Sequence, residues 1–143
     1  MAIKVKPEHL DQIRRHGERT YPHECCGFLL GAREGETNVL AEAYPAENER
    51  QDSRETRYLI TPQQSKRADD YARSHGLGVI GYYHSHPDHP AAPSGYDLDH
   101  SCWPGESYII VAIEQGKAAG LNSFTKPDYT SFEPEEILID EAP

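Results

Sequence analysis

The stretch from Val79 to Asp97 constrains this chain more than any other. An apolar run, Val79-Ile80-Gly81-Tyr82-Tyr83, leads straight into His84-Ser85-His86-Pro87. Seven residues separate His86 from Ser94, and two more separate Ser94 from Asp97. The run has the length and the β-branched and aromatic content of a buried strand. On extended backbone, residues two apart face the same side, so His84 and His86 aim at one point while Ser85 turns away. Pro87, Pro90 and Pro93 break the strand and form a loop. Ser94 is a good helix N-cap, which puts Asp97 at the third helical position, where its carboxylate projects from the helix start toward the histidines.

Two imidazoles and one carboxylate, with a fourth position left to water, form a catalytic zinc set. A structural site would close that position with another protein ligand, often cysteine. The three cysteines, Cys25, Cys26 and Cys102, contain no CxxC pair, and an odd count with two adjacent is a poor disulfide framework. Hydrolysis also needs a group that takes a proton from water and passes it to the leaving amine. Glu24 is the candidate, because it stands at the mouth of the apolar segment Cys25 to Gly31, where burial raises a carboxyl pKa. Ser94 has two available jobs: its oxygen caps the helix, and its hydrogen can support a developing oxyanion. For Asp97, capping-box partner and zinc ligand are treated as alternatives, and zinc is favoured.

The remaining elements follow from local signals. A helix is expected over about Pro7 to Thr20, weakened near its end by Gly17. Cys25 to Gly31 and Asn38 to Tyr44 read as a hairpin around Gly35-Glu36. Pro45 to Thr56 reads as a mobile polar loop, with a substrate-facing flap as the sharper alternative. Tyr58-Leu59-Ile60 is expected as a strand, followed by a helix capped by Thr61-Pro62 and ended near His75 by Gly76 and Gly78. The Ser94 helix is expected to reach about Trp103. Strands are expected over Ser107 to Glu114, Ala118 to Phe124 and about Glu136 to Ile139. Helices interspersed with hairpins suggest an α/β sandwich with a mixed sheet, and 143 residues suit one domain over 1–143.

The net charge of −10 and pI near 5.2 argue against nucleic acid as a partner. The N-terminal Met1 to Lys6 lacks the apolar core of a secretory signal, and no apolar run approaches spanning length. A cytoplasmic protein, with no membrane partner, is the expectation. His89, His100 and Cys26 are secondary candidates near the site: the histidines read mainly as surface residues, and Cys26 as a strand packer on the Glu24 face. Tyr82, Tyr83 and Tyr96 flank the motif as core or cleft aromatics.

His84-Ser85-His86-Pro87, Ser94 and Asp97, with Glu24 upstream, resemble the motif of the JAMM (MPN+) zinc metallopeptidases. Pro22-His23-Glu24-Cys25-Cys26-Gly27-Phe28-Leu29-Leu30-Gly31 is similar to the strand opening of compact bacterial members, and Trp103 to Val111 to the strand after their metal helix. The resemblance implies a single-domain, cytidine-deaminase-like sandwich with a central mixed β-sheet flanked by helices. It implies one catalytic Zn2+ on His84, His86 and Asp97, proton transfer by Glu24 and oxyanion support by Ser94. It further implies cleavage of an amide at the C-terminal tail of a ubiquitin-like or sulfur-carrier protein. The alternative from another class is a noncatalytic MPN-type interaction module that retains the metal site. A nucleoside deaminase is disfavoured, since that class pairs HxE with PCxxC and no PCxxC occurs.

Overall fold

Strand pairing in this chain turns on a short N-terminal segment. In the computed structural model, which describes residues 1–100 (98–100 as backbone only), 105–128 and 131–142, Ala2–Val5 forms strand β1. It pairs in parallel with both β3 (Thr37–Ala46) and β7 (Glu133–Ile139). The order β1-β3-β2-β4-β5-β6-β7 therefore closes on itself as a barrel. Here β2 is Cys26–Glu34, β4 Gly78–Pro87, β5 Ser107–Glu114 and β6 Lys117–Thr125. The expected mixed sheet with helices is present; its closure by β1 was not anticipated. The alternation of buried Ile3 and Val5 with Lys4 and Lys6 is the signal that marks this strand.

Helix α1 (Pro7–Thr20) and helix α2 (Pro62–Ser74) cover different parts of the sheet. Leu10 and Ile13 of α1 pack with Ile3, Leu29, Tyr83, Ile109, Val111 and Ile113 in the main core. Ala68 and Ala72 of α2 pack with Phe28 and Leu30 in a second core. Each fully buried Leu or Ile contributes roughly 1.5–3 kcal/mol relative to exposure. Gly17 does not end α1. It is buried within the helix, where a Cβ would lie 2.8 Å from Ile113 Cδ1 and 3.3 Å from Ser85 Cβ. The missing side chain lets α1 settle directly on β4 and β5.

Most local expectations hold within a few residues. Thr61 Oγ1 accepts the Gln64 N–H and caps α2, and Gly76 takes a positive φ just after it. The short helix α3 spans Gly95–His100; the expected continuation to Trp103, and Cys102 with it, lies outside the described residues. One expectation fails: Tyr58-Leu59-Ile60 is not a strand. The Leu59 N–H donates to the Asn48 side chain, and its carbonyl accepts from Glu49 N, so no ladder forms. Tyr58 is instead drawn to the histidine cluster, as described next. Among the described residues, no helix is long and apolar enough to cross a membrane.

Candidate metal centre

Strand β4 carries His84 and His86 on the face opposite α1. The hydroxyl between them, Ser85 Oγ, accepts the Cys25 N–H at 2.8 Å, and Ser85 N donates back to the Cys25 carbonyl at 3.2 Å. These bonds stitch the start of β2 to the end of β4. The antiparallel register there pairs Cys26 with His84. Continued by two residues, it sets position 24 across from position 86, and Glu24 lines the same cavity as His86.

The return of the chain to this point is equally specified. Asp88 N donates to the Ile113 carbonyl at 2.7 Å, and Asp88 Oδ1 accepts from Gln115 N. Ala91 packs on Ile110 and Ala112, and its carbonyl accepts from Asn122 Nδ2. The proline loop is thus pinned to β5 and β6, and α3 starts beside the histidines.

Asp97 then meets both imidazoles. Its Oδ1 lies 3.2 Å from His84 Nε2, its Oδ2 lies 3.1 Å from His86 Nε2, and the two Nε2 atoms are 3.1 Å apart. Donors around one tetrahedral ion with bonds of roughly 2.0–2.1 Å sit roughly 3.3 Å from each other, so the cluster has the dimensions of a zinc site. Its donors suit a cation chemically as well. Burial pushes the His84 imidazole below its usual pKa despite the nearby Asp97 charge, which leaves it neutral at pH 7. Burial alone would raise the Asp97 carboxyl, but the His84 and His86 imidazoles beside it outweigh burial and hold Asp97 well below the ordinary carboxylate range. Metal ligands must be deprotonated, and these two already are. His86 Nδ1 sits 2.8 Å from the Pro90 carbonyl, which fixes that nitrogen as the donor and leaves Nε2 with its lone pair. Among the described residues, this is the group of His, Cys, Asp and Glu side chains spaced to hold an ion, and it does not include Cys26.

The expectation that Asp97 must choose between capping and the cluster is corrected by the geometry. Ser94 N donates to Asp97 Oδ2 at 2.9 Å, and Asp97 N donates to Ser94 Oγ at 3.0 Å, a reciprocal capping box. Oδ1 remains directed at His84. A carboxylate has lone pairs enough for both tasks. Capping also orients the side chain, so the two roles reinforce each other.

Glu24 and Ser94 line the same cavity, of about 360 Å3, together with Thr56, His86 and His89. Glu24 is 3% exposed, and its Oε1 is buried without a hydrogen-bond partner. Burial first, and the Asp97 charge second, push its pKa up to about 9. The sign of the consequence is definite. Below pH 4.5 the folded and unfolded chains both hold this proton. Between 4.5 and about 9 only the folded chain keeps it, so stability falls as pH rises through that window. Glutamine mimics the protonated acid. The metal-free Glu24→Gln protein is therefore expected to be more stable than metal-free wild type at pH 7, by on the order of 3 kcal/mol. Urea denaturation at pH 4 and pH 7 checks this; the gap should vanish at the lower pH.

The sequence profile of the prokaryotic homologs of the JAB domain matches residues 6–125. The chain belongs to this family. Two relatives match most of the chain. The desampylase of Haloferax volcanii is 29% identical over 110 residues, covering 77% of each chain. A probable TtuB-protein conjugate cleaving protease of Thermus thermophilus is 31% identical over 129 residues, covering 90% of this chain and 78% of that one. Among solved structures, a Salinibacter ruber protein is 42% identical with a TM-score of 0.76, covering 100% of this chain and 95% of the other. A Desulfitobacterium hafniense protein reaches a TM-score of 0.84 at 28% identity, covering 99% and 94%. A JAB1/MPN domain protein from Archaeoglobus fulgidus, at 20% identity and a TM-score of 0.57 over 99% and 97%, shares the fold.

Within this JAB chain two neighbours of the cluster escaped the sequence reading. Tyr58 stacks on His84, with ring centroids 4.8 Å apart and planes at 30°. Asn48 Nδ2 donates to the Glu24 carbonyl at 3.1 Å and to the Arg57 carbonyl at 3.0 Å, while its Oδ1 accepts from Arg50 N and Leu59 N. Glu24 N donates to the Arg54 carbonyl at 2.7 Å. The polar 45–56 loop is thus tied to Glu24 and borders the cavity through Thr56. No period marks such contacts; an asparagine and a tyrosine between charged residues look like any surface segment.

Proposed function

We propose that residues 1–143 act as one domain, a cytoplasmic zinc-dependent peptidase or isopeptidase that hydrolyses an amide at the C-terminal tail of a ubiquitin-like or sulfur-carrier protein. One observation carries the reading: a His84-His86-Asp97 cluster of tetrahedral dimensions beside a buried, unpartnered carboxyl on one cavity. The orphaned Glu24 Oε1 and the donor set fit a bound cation. Zinc at His84, His86 and Asp97 would supply a Lewis acid for the scissile carbonyl and lower the pKa of a water to about 7.

The chain's own groups do the rest. Glu24 accepts the proton of the attacking water and delivers it to the leaving amine. Burial is the larger cause of its raised pKa and the Asp97 charge the smaller; a cation held by the three residues would oppose the second. Ser94 Oγ accepts the Asp97 N–H, and its hydroxyl hydrogen is directed to the substrate oxygen as negative charge develops there. The relatives named for a desampylase and for cleavage of TtuB conjugates support a protein-conjugate substrate. A noncatalytic module would have no use for a buried acid beside the ligands, since burying it costs stability.

The test combines metal counting with a substrate. Purified protein incubated with zinc and desalted should carry one zinc per chain by mass spectrometry. It should then cleave a ubiquitin-like protein fused through its C-terminal glycine to a reporter. Protein that takes up no zinc would overturn the metal site, and zinc-loaded protein that leaves every such fusion intact would overturn the substrate class.

A further inference from the structure

The loop that borders the cavity carries three arginines and four acids: Glu47, Glu49, Arg50, Asp52, Arg54, Glu55 and Arg57. Three of the acids are directed to other partners. Glu49 Oε2 accepts from Gln64, Asp52 pairs with Arg50 at 3.1 Å, and Glu55 approaches His23 at 3.8 Å. Among the described residues, Arg54 and Arg57 have no carboxylate within ion-pair distance.

Arg57 is nonetheless held in place. Its guanidinium lies over the Tyr96 ring, 4.5 Å from the centroid. Arg50 Nη1 donates to the Tyr96 hydroxyl at 2.7 Å, which fixes that ring from its edge. Tyr96 immediately precedes Asp97, and the Arg57 carbonyl shares Asn48 Nδ2 with the Glu24 carbonyl. The platform is joined to the cleft through Thr56, the chain neighbour of Arg57, and among the described residues the walls of the cleft hold no lysine or arginine. A guanidinium seated on a ring by its face keeps its N–H edge open, and that planar fork matches a carboxylate.

We propose that Arg57, seated on Tyr96 and flanked by Arg50, forms a carboxylate-binding subsite that takes an acidic group of the protein substrate next to the scissile amide. The proposal rests on the peptidase reading and adds a charge preference to it. The carboxylate has two sources: the free C-terminus of the residue released, or an acidic side chain beside the bond. Binding it costs little ordering, because Tyr96 already restrains the guanidinium.

The experiment uses one ubiquitin-like fusion extended by a single residue in three forms: alanine with a free acid, alaninamide, and aspartic acid amide. Zinc-loaded wild type should favour one or both carboxylate-bearing forms over alaninamide by about tenfold in kcat/KM, carried by KM. Preference for the free acid assigns the C-terminus, and preference for the aspartate form assigns the side chain. Arg57→Ala should bring the ratio close to one, and Arg57→Lys should keep part of it. The ratio is insensitive to partial misfolding, because all three forms meet the same folded fraction. Equal rates for the three forms in wild type, or an unchanged ratio in Arg57→Ala, would overturn the subsite. If wild type cleaves none, the peptidase reading fails first. Fluorescence anisotropy of the labelled forms on zinc-loaded wild type and Arg57→Ala then decides the subsite on the same ratio.

Discussion

Glutamine at position 24 is expected to leave zinc binding intact and to lower kcat by about 10³-fold or more. Glu24 is no part of the His84-His86-Asp97 cluster, so the metal should stay at one per chain. The side chains are nearly equal in size, so the cavity keeps its shape. What is lost is the ability to take a proton from water and return it to the amine, and general acid–base catalysis is worth about 10²–10⁴-fold. The position of the carboxyl raises the expected loss to the upper part of that range: at 3% exposure, bulk water has little access to replace it. Single-turnover kinetics with matched zinc loading make the measurement. A Glu24→Gln protein as active as wild type would remove Glu24 from the mechanism while leaving the metal site standing. In the metal-free state the same substitution should stabilise the fold. Loss of activity paired with a gain in stability is the signature of a functional acid held in an unfavourable place.

Asp97→Ala should act on the cluster and on the helix together. The carboxylate faces both Nε2 atoms, so its removal deletes one of the three proposed ligands. Losing a partner that merely orients a ligand costs 10–100-fold in metal affinity, so losing the ligand itself should exceed about 100-fold. The same change deletes the acceptor for Ser94 N and breaks the capping box, at a cost of about 1 kcal/mol. Asp97→Asn separates the two effects. Its amide oxygen still accepts from Ser94 N, so the metal-free protein should melt near wild type, while the missing charge weakens zinc binding. Zinc competition with a chromophoric chelator and thermal melting of the metal-free proteins read the two quantities independently. Equal zinc affinity in Asp97→Ala and wild type would remove Asp97 from the ligand set.

The parts of the site legible in the sequence are those built from neighbours along the chain. His84 and His86 share a face because a strand repeats every two residues. Asp97 comes back to them because Ser94 caps the helix three positions earlier, with the proline loop between. Both inferences use backbone periods and capping, which act over a few residues, and no remote information is needed. The hairpin of β2 and β3 and the Thr61 cap of α2 were readable for the same reason. The exclusive choice posed for Asp97 was misleading, because sequence counts roles while a carboxylate has two oxygens to share among them.

What only the tertiary structure decided is everything that depends on register between distant strands. Glu24 is sixty positions from His84, and its place beside His86 follows from the Cys26–His84 pairing and the Ser85 stitch to Cys25. Tyr58 looked like a strand residue and is a stacking partner of His84, because Asn48 takes the backbone groups a ladder would have used. β1 closes the barrel through parallel pairing with β3 and β7, and such pairing carries no turn signal between its strands. The sequence alone thus indicated that two imidazoles and a carboxylate would meet, since their spacing is a local fact. The folded chain decided which acid stands beside them and which arginines border them. The first choice depends on strand register, where a shift of one residue turns a side chain to the other face, and the second on the hydrogen bonds that Asn48 makes across the loop.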